Sequence, residues 1–451
     1  MVRRDIACRE GISGALWIPT LWVAIVASRP VSMWLGGSEM GGNSLAGSTT
    51  DAMFYFALIL LSFIVCIRRG VNWPELVSNN KALFLFYGYF LVSVLWSEHG
   101  FSAFKRLFKD FGNVIVLLVI LTEKNPREAI KSLFIRLGYV FIPLSYLFVR
   151  YFPEIGRRYN IHSGVMEAVG VATQKNSLGA MIMICGLVLI FDLVDRPGEP
   201  EVKLGRLDLA LRWGVLLLGF YLLQLCDSKT SMVCLVLGGV VLFCSKVPLV
   251  ERNLSLIARC LIGSVLAFIA LDYLFGIKET VLHALGRNAT LTGRTEVWQY
   301  LLNLHTDPMI GMGYCTIWDS HFRANFPIWM ADSAHNGYLE IYLDGGWIGV
   351  GFLLLLLAVV YVQASRRLAD GDRYSVLRFV IIFLTILYNI SESVFARLSP
   401  VWFFFLLAGV NPPQMHGEAV AEANAATNDE AGPVASDLGA SAWVSAKSRS
   451  A

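Results

Sequence analysis

An apolar stretch in the last third of the chain decides the fold class. Residues 338–360 read YLEIYLDGGWIGVGFLLLLLAVV, and no charged residue follows Asp344 within this stretch. A helix of about 20 such residues spans the roughly 30 Å hydrocarbon core of a bilayer. The stretch therefore predicts a transmembrane helix.

The rest of the chain has the same apolar character. Of its 451 residues, 56% are hydrophobic and 16% are charged, and the mean hydropathy is +0.58. Soluble domains typically carry about 25% charged residues. The chain contains about twelve apolar runs, and because lipid cannot satisfy unpaired backbone groups, runs without alternation predict helices rather than barrel strands. We therefore predict an all-α, polytopic membrane protein. The predicted spans are residues 12–34, 52–67, 81–97, 111–122, 133–152, 177–194, 210–226, 230–245, 254–275, 338–363, 375–390 and 399–410.

These runs predict one transmembrane domain over residues 1–410. The segment 276–337 separates the ninth and tenth spans and predicts a large outer loop that forms part of the active site. Residues 411–451 are rich in small and polar residues and predict a disordered inner tail. The first span is interpreted as retained rather than as a cleaved signal peptide. The eight cysteines are scattered without a CxxC pair, which argues against a disulfide framework and a zinc site.

The distribution of positive charges predicts the orientation. With the amino terminus inside, 23 of the 37 Lys and Arg residues fall on the inner side and 14 on the outer side. This distribution follows the positive-inside rule. Each outer cation could simply reach a lipid headgroup. Together they suggest an anionic ligand at the outer leaflet.

Residues 97–113 predict a surface helix. They read SEHGFSAFKRLFKDFGN, with phenylalanines on one helical face and Lys105, Arg106 and Lys109 beside them. This pattern is typical of an amphipathic helix at a membrane interface. We expect the segment to lie along the outer membrane surface.

A second outer loop, residues 150–176, carries candidate anion-binding residues. Arg157 and Arg158 lie within it, and Lys175 and Asn176 begin the next span. Free N–H groups and the helix dipole favour anions at a helix start. An ordinary helix cap explains Asn176 equally well.

Lys229 occupies a tight outer turn, CDSKTSM at 226–232, between two spans. Its ammonium group is confined to the membrane edge near the start of a helix. There it could reach lipid headgroups or contact a phosphate group.

The large outer loop holds the two residues best suited to chemistry. Arg294 projects from the first turn of a predicted helix that begins near Thr292 or Gly293. His335 directly precedes the apolar stretch and lies at the outer mouth of a span. A histidine there is either an interfacial polar residue or a general base, because imidazole titrates near neutral pH. The segment IGMGY at 310–314 follows no strand pattern and predicts a tight turn rather than a nucleotide loop.

The motifs of this loop resemble those of the O-antigen ligase and polymerase superfamily of bacterial envelope glycan enzymes. The segments that carry the resemblance are LTGRTEVW at 291–298, IGMGY at 310–314 and SAHNGYLEIYLDGGWIG at 333–349. Two more segments, DSKTS at 227–231 and QKNSLG at 174–179, are similar to its exopolysaccharide polymerase branch.

The resemblance implies a membrane-embedded glycosyltransferase of the GT-C type that needs neither a metal nor another cofactor. It implies undecaprenyl-pyrophosphate-linked sugars as substrates, at the periplasmic face of the bacterial inner membrane. It also implies that His335 stands at the family's essential histidine and Arg294 at a pyrophosphate-binding arginine. Lys229 stands where ligases usually carry arginine, so the charge is kept and bidentate phosphate geometry is lost.

Residues and resemblance together predict an envelope glycan polymerase. His335 is predicted to act as general base on an acceptor sugar hydroxyl, and direct displacement at the anomeric carbon inverts its configuration. The departing undecaprenyl pyrophosphate is predicted to be neutralised by cations. The predicted pyrophosphate-binding residues are Arg294, Lys229, Lys175, Arg158, Arg157 and Asn176, and the predicted supporting residues are Glu340 and Asn336.

Three other functions are compatible with the sequence. An O-antigen ligase transfers the glycan to lipid A core instead. A transporter or lipid flippase places ionisable residues near the bilayer midplane, whereas most of those here lie at span ends. The third is a non-catalytic scaffold. As partners we expect a lipid-linked donor glycan, an acceptor glycan, the lipid bilayer, a chain-length regulator and a flippase, and no nucleic acid.

Overall fold

The structure is a computed structural model that describes residues 11–36, 48–159, 164–195, 206–276, 294–322, 326 and 333–413. Several features of the sequence analysis lie outside these residues. They include the two candidate cap residues Thr292 and Gly293 and residues 414–451 of the predicted tail.

The described part of the chain is built from helices. The longer helices are α1 (Trp17–Val26), α2 (Thr49–Arg68), α3 (Lys81–Ser93), α4 (Gly100–Leu121), α5 (Pro126–Tyr151), α6 (Lys175–Val194), α7 (Arg206–Leu225), α8 (Lys229–Cys244), α9 (Ser255–Phe275), α10 (Arg294–Leu302), α11 (Gly337–Ala369), α12 (Arg373–Tyr388) and α13 (Pro400–Gly409). Short helical segments lie at Gly14–Leu16, Val31–Trp34, Trp73–Asn79, Val94–Trp96, Pro153–Gly156, Pro248–Glu251 and Ile317–Asp319. Two three-residue strands, β1 (Arg157–Tyr159) and β2 (Met166–Ala168), pair antiparallel within the outer loop.

The prediction of a helical membrane protein is confirmed. Six of the helices are long and apolar enough to cross a bilayer: Thr49–Arg68, Pro126–Tyr151, Lys175–Val194, Arg206–Leu225, Ser255–Leu274 and Gly337–Ala369. Shorter apolar helices lie at Gly14–Val26, Lys81–Trp96, Lys229–Cys244 and Pro400–Gly409. The number of twelve spans and the GT-C architecture stay predictions.

Side chains in the sequence fix several helix starts. Asn125 accepts a hydrogen bond from the Glu128 N–H at 3.4 Å and is followed by proline, which suits the first position of a helix. The start of α13 has the same chemistry, since Ser399 Oγ accepts from the Trp402 N–H at 3.1 Å and Pro400 follows. Helix starts are therefore encoded locally.

Helix α6 is central and α9 is peripheral. In α6, 83% of the most apolar 18-residue window is buried inside the protein, against 18% in α9. Because a helix that is apolar on all sides needs either protein or lipid around it, α9 exposes its side chains to lipid. Asn176, at the start of α6, donates a hydrogen bond to Glu392 at 3.0 Å, so this end of the helix is held by another segment.

Residues 97–113 are largely helical as predicted, but they do not form a separate helix along the membrane surface. Helix α4 runs without interruption from Gly100 to Leu121, so the amphipathic segment is continuous with the next predicted span. Two of its polar side chains, Arg106 and Asp110, form hydrogen bonds with other parts of the protein. Tyr87 donates a hydrogen bond to Asp110 at 2.8 Å, and Arg106 donates to the Cys315 carbonyl at 2.6 Å.

Helix α11 is broken at Gly346, within the apolar stretch 338–360. Gly346 has φ +60° and ψ −162°, and a Cβ atom there would lie 2.2 Å from the Met309 carbonyl carbon. The predicted tight turn at 310–314 packs against this break, with the Met312 N–H donating to the Leu343 carbonyl at 2.9 Å. The break separates the short outer part of α11 from its long apolar part.

The start of the predicted tail belongs to the folded part. The Asn411 N–H donates to Asn80 Oδ1 at 2.9 Å, and Asn411 Nδ2 donates to Gln363 Oε1 at 3.1 Å. The ordered chain therefore extends past the last helix to at least this residue.

Candidate active site

The loop 390–399, between α12 and α13, docks against the start of α11. The Asn336 N–H donates to Ser393 Oγ at 2.8 Å, and the Gly337 N–H donates to the Asn389 carbonyl at 2.8 Å. The Asn336 side chain caps α11, because its Oδ1 atom accepts hydrogen bonds from the Tyr338 and Leu339 N–H groups at 3.0 and 3.1 Å. Asn336 thus supports the site by fixing where α11 begins.

Glu392 lies at the centre of this contact and joins three distant segments. Its Oε1 atom accepts from Arg294 Nη2 at 3.0 Å, and both of its oxygens accept from Asn176 Nδ2 at 3.0 Å. Its Oε2 atom lies 3.5 Å from His335 Nδ1. Arg294 also donates through Nη1 to the Ser391 carbonyl. The structure therefore brings Arg294, His335 and Asn176 together around one buried carboxylate.

The charge state of Glu392 follows from these contacts. Burial raises the pKa of its carboxyl group, but the hydrogen bond with His335 and the charge of Arg294 outweigh burial and hold the pKa below its ordinary value of 4.5. Glu392 is therefore a carboxylate at neutral pH. A buried carboxylate is stable only when it is paired in this way.

The imidazole of His335 has one nitrogen at the Glu392 carboxylate and is partly exposed. Its Nδ1 faces the Glu392 carboxylate, so the other ring nitrogen, Nε2, is directed away from that carboxylate. Its side chain is 27% exposed, which leaves the ring accessible. A carboxylate on one imidazole nitrogen favours the proton there and leaves the other nitrogen as an acceptor.

Left-handed backbone conformations concentrate at this site. In the described part of the chain, four non-glycine residues have positive φ: Asp227 (52°), Cys315 (55°), His335 (49°) and Ala396 (47°). They lie in the turn before α8, the large outer loop, the start of α11 and the loop 390–399. Such conformations cost about 1–3 kcal/mol each and persist where surrounding contacts impose them, which is typical of functional sites.

The two predicted lysines lie at the edge of the site and have carboxylate partners. Lys229 Nζ lies 3.0 Å from Asp227 Oδ1, and Lys175 Nζ lies 2.9 Å from Glu167 Oε1. The helix that begins at Lys229 touches the central loop, because Thr230 Oγ1 and Ser391 Oγ are 2.8 Å apart. Both lysines therefore belong to helix starts that adjoin Glu392, and neither contacts that carboxylate.

Arg157 and Arg158 are less closely connected to the site. Arg157 Nε donates to the Val149 carbonyl at 2.7 Å, and Arg158 Nη1 donates to the Thr173 carbonyl at 3.0 Å. Thr173 precedes Lys175 by two residues, so Arg158 lies close to the start of α6. Arg157 instead fastens the outer loop to the end of α5.

Glu340 supports the site from a second buried cluster. Its oxygens accept from Arg397 Nη2 at 2.8 Å, from Trp318 Nε1 at 3.0 Å and from the Ala334 N–H at 2.8 Å. Arg397 also lies 2.9 Å from Asp344 Oδ2. Because Ala334 is bonded to His335, Glu340 fixes the backbone that presents the histidine without contacting the imidazole.

Glu392 and the role of Arg397 were not predicted from the sequence. Glu392 is the one acidic residue between the last two predicted spans, opposite an excess of outer cations. That position is a readable signal, because a carboxylate at an outer span end among arginines is expected to find a cationic partner. Among the described residues, no three His, Cys, Asp or Glu side chains come together as a metal ion would require.

We expect Gly337→Ala to destabilise the site. A Cβ atom on Gly337 would lie 2.1 Å from Asn389 Oδ1, and that oxygen cannot move freely because it accepts from the Val394 and Phe395 N–H groups. Overpacking of this kind costs about 1–3 kcal/mol. The measurement is thermal unfolding of the purified chain in detergent, where the transition should fall by several degrees.

Gly351→Ala is the matched control for this change. Gly351 lies on the same helix, and a Cβ atom there meets nothing within 4 Å. Its transition should stay at or above that of the wild type, because alanine favours helix. Equal transitions for both variants would contradict the tight packing at Gly337.

The chain is similar in sequence to known proteins. Residues 214–354 match the family described as O-antigen ligase, Wzy_C. An alignment of 321 positions with the exopolysaccharide production protein ExoQ of Rhizobium meliloti shows 26% identity and covers 67% of this chain and 70% of that protein. The matched family region contains Lys229, Arg294 and His335, and it ends before Glu392.

Proposed function

The chain belongs to the O-antigen ligase and polymerase superfamily, near its exopolysaccharide branch, and on this premise we propose that it is an envelope glycan polymerase. The proposed substrate is an oligosaccharide linked to undecaprenyl pyrophosphate, and the acceptor is a hydroxyl group of a second glycan. The relative ExoQ, named for exopolysaccharide production, supports polymerisation. We place the reaction at the periplasmic face of the bacterial inner membrane.

His335 is the proposed general base. Its Nε2 accepts the proton of the acceptor hydroxyl as the hydroxyl oxygen attacks the anomeric carbon of the donor sugar. The bond between that carbon and the pyrophosphate oxygen breaks, and undecaprenyl pyrophosphate leaves with the electron pair. Glu392 stabilises the imidazolium that forms, as a carboxylate does in other proton-transfer pairs. Attack from the side opposite the leaving group inverts the anomeric configuration.

Cations at the outer face are proposed to stabilise the departing pyrophosphate. Arg294 is the first of them, because it lies beside the proposed base on the same carboxylate. Lys229 and Lys175 begin the neighbouring helices, where the helix dipole adds to their charge. Since each lysine has a carboxylate partner at about 3 Å, a pyrophosphate must share or replace that partner.

The remaining predicted residues have smaller proposed roles. Arg158 and Asn176 flank the start of α6 and extend the proposed anion site. Arg157 is proposed to hold the outer loop in place. No metal or other cofactor takes part in the proposed reaction, and the chain-length regulator and flippase remain proposed partners.

One observation carries this proposal. Glu392 joins Arg294 and His335, which come from different parts of the large outer loop, within 3.0 and 3.5 Å of its two oxygens. A buried carboxylate that orients a histidine beside an arginine provides a base and an anion site in one place. A scaffold protein has no need of this arrangement.

Ligation to lipid A core is the second candidate function, because the matched family is described as O-antigen ligase. Deletion of the gene from its own bacterium distinguishes the two. For a polymerase, we expect single-repeat lipid-linked glycan to accumulate and long polymer to disappear, as measured by gel electrophoresis of lipid-linked and free glycan.

Expression of the wild-type chain from a plasmid should restore polymer, and expression of His335→Ala should not. Accumulation of unattached full-length polymer in the deletion strain would identify a ligase and contradict the polymerase proposal.

A further inference from the structure

A large cavity lies beside the candidate active site on the outer half of the protein. Its volume is about 600 Å³, and its walls come from α1, α2 and the first turns of α4. Thr173 and Ser177, which flank the start of α6, and Leu398, from the loop 390–399, close one side. The cavity therefore adjoins the segments that hold Glu392.

The lining of the cavity is amphipathic. Lys105 and Lys109 lie one helical turn apart on α4 and contribute two ammonium groups. Tyr55, Phe56 and Ile59 of α2 supply an apolar wall. Cavities of 300–1,000 Å³ are typical of small-molecule sites, and a cationic end with an apolar wall fits a lipid that carries a phosphate.

The cavity reaches the lipid-facing surface of the protein. Three of its lining residues are also exposed to the surroundings, Phe56 by 56%, Phe104 by 44% and Phe108 by 40%. Phe56 lies seven residues into α2, about 10 Å from its start at a rise of about 1.5 Å per residue. A hydrocarbon chain can therefore leave the cavity along the exposed phenylalanines of α2 and α4.

Lys109 differs in its contacts from the two lysines of the predicted pyrophosphate site. Lys175 and Lys229 each have a carboxylate within 3.0 Å. Among the described residues, Lys109 forms no salt bridge, and its Nζ lies 5.9 Å from the centre of the Tyr55 ring. The nearby carboxylate of Asp51 accepts from the Ser32 N–H at 2.9 Å and from Ser32 Oγ at 2.6 Å.

The arginine in the same segment is already engaged. Arg106 pairs with Asp319 and donates to the Cys315 carbonyl at 2.6 Å, which joins α4 to the large outer loop. This contact fixes the turn of α4 that lies between Lys105 and Lys109. The two ammonium groups are thus presented by a helix that the outer loop holds in place.

We propose that this cavity binds the lipid phosphate of the acceptor substrate, with Lys105 and Lys109 at the phosphate and the polyprenyl chain following the exposed phenylalanines of α2 and α4. The inference rests on the proposed function, because a polymerase joins two glycans that each hang from a lipid. The pyrophosphate of the donor lipid is assigned to Arg294. The acceptor lipid then needs a second cationic site at the same depth in the membrane. The cavity supplies that site beside the start of α6 and the loop 390–399.

Photolabelling of the full-length chain tests this assignment. The chain is placed in phosphatidylcholine nanodiscs, and the probe is a polyprenyl monophosphate with a photoreactive group in its first isoprene units. Labelled peptides are identified by mass spectrometry. We expect label on peptides of α2 or α4, and an approximately tenfold loss in the Lys105→Ala/Lys109→Ala variant, as expected for two lost charge-assisted contacts.

Three further variants separate binding from folding. Lys105→Arg/Lys109→Arg should keep the label, and Lys81→Ala, an exposed lysine at the start of α3, should not change it. Ala52→Trp should reduce the label by filling the cavity without removing charge, because Ala52 lines it. Each variant is compared with the wild type by thermal unfolding. Undiminished label in both Lys105→Ala/Lys109→Ala and Ala52→Trp would overturn the proposal.

Competition identifies the source of the phosphate. A tenfold excess of phosphatidylglycerol should leave the label on α2 and α4 in place. Displacement by phosphatidylglycerol would assign the cavity to bulk anionic phospholipid and overturn the acceptor-lipid proposal. His335→Ala should label like the wild type while making no polymer. Polymer made by His335→Ala would contradict the proposed function, whereas the labelling results alone decide the cavity proposal.

Discussion

Replacing His335 by alanine is expected to lower the rate of glycan transfer by about 10²- to 10⁴-fold, the usual contribution of a positioned general base. The imidazole Nδ1 lies 3.5 Å from Glu392 Oε2, and the side chain is partly exposed, so Nε2 is the nitrogen that can meet a sugar hydroxyl. Alanine removes the proton acceptor. Arg294 keeps its contact with Glu392 at 3.0 Å, so the rest of the site should persist.

The assay uses the purified chain with glycan linked to undecaprenyl pyrophosphate and follows both polymer and released carrier. His305→Ala is the control, because His305 lies exposed in the same outer loop just after α10. Its rate should stay near that of the wild type. A wild-type rate in His335→Ala would eliminate His335 as the base.

Glu392→Gln is expected to lower the transfer rate by about 10- to 100-fold. The change keeps the shape of the side chain but removes the charge that faces His335 and Arg294. A hydrogen bond to a charged group contributes about 1.5–3 kcal/mol, and the imidazolium formed in the transition state loses this partner. Because the effect acts on the transition state, kcat should fall while KM for the lipid-linked glycan changes little.

The distinction between kcat and KM separates this role from a purely structural one. Glu154→Gln is the control, since Glu154 is an exposed carboxylate on the same outer face. Glu392→Ala should additionally lower stability by about 3–5 kcal/mol, because Arg294 is then left buried without a counter-charge. Unchanged kcat in Glu392→Gln would show that the carboxylate does not assist the base.

Much of the fold could be read from the sequence because the signals for helices are local. Apolar runs of about 20 residues identify membrane helices without any knowledge of their neighbours. The starts of α6 and α8 at Lys175 and Lys229 lie where the outer turns predicted them. The error at residues 97–113 arose because an amphipathic helix at a membrane surface and one with its polar face against protein have the same periodicity. Only the partners of Arg106 and Asp110 tell them apart.

The candidate site was predictable in part for the same reason. Arg294 and His335 stand out as polar residues in a segment between apolar runs, and their motifs carry the family resemblance. Glu392 does not stand out in this way, since one acidic residue in a short loop has many ordinary explanations. Its contacts with Asn176 and Arg294 join residues 216 and 98 positions apart in the chain.

The sequence by itself therefore determined the membrane class, the helical fold, the family and two of the residues at the centre of the site. The tertiary structure alone decided that Glu392 joins Arg294, Asn176 and His335, and that Lys105 and Lys109 line a cavity beside them. The physical reason is that hydrophobicity and helix capping act over a few residues. Contacts between separate helices depend on how the whole bundle packs, which no local pattern records.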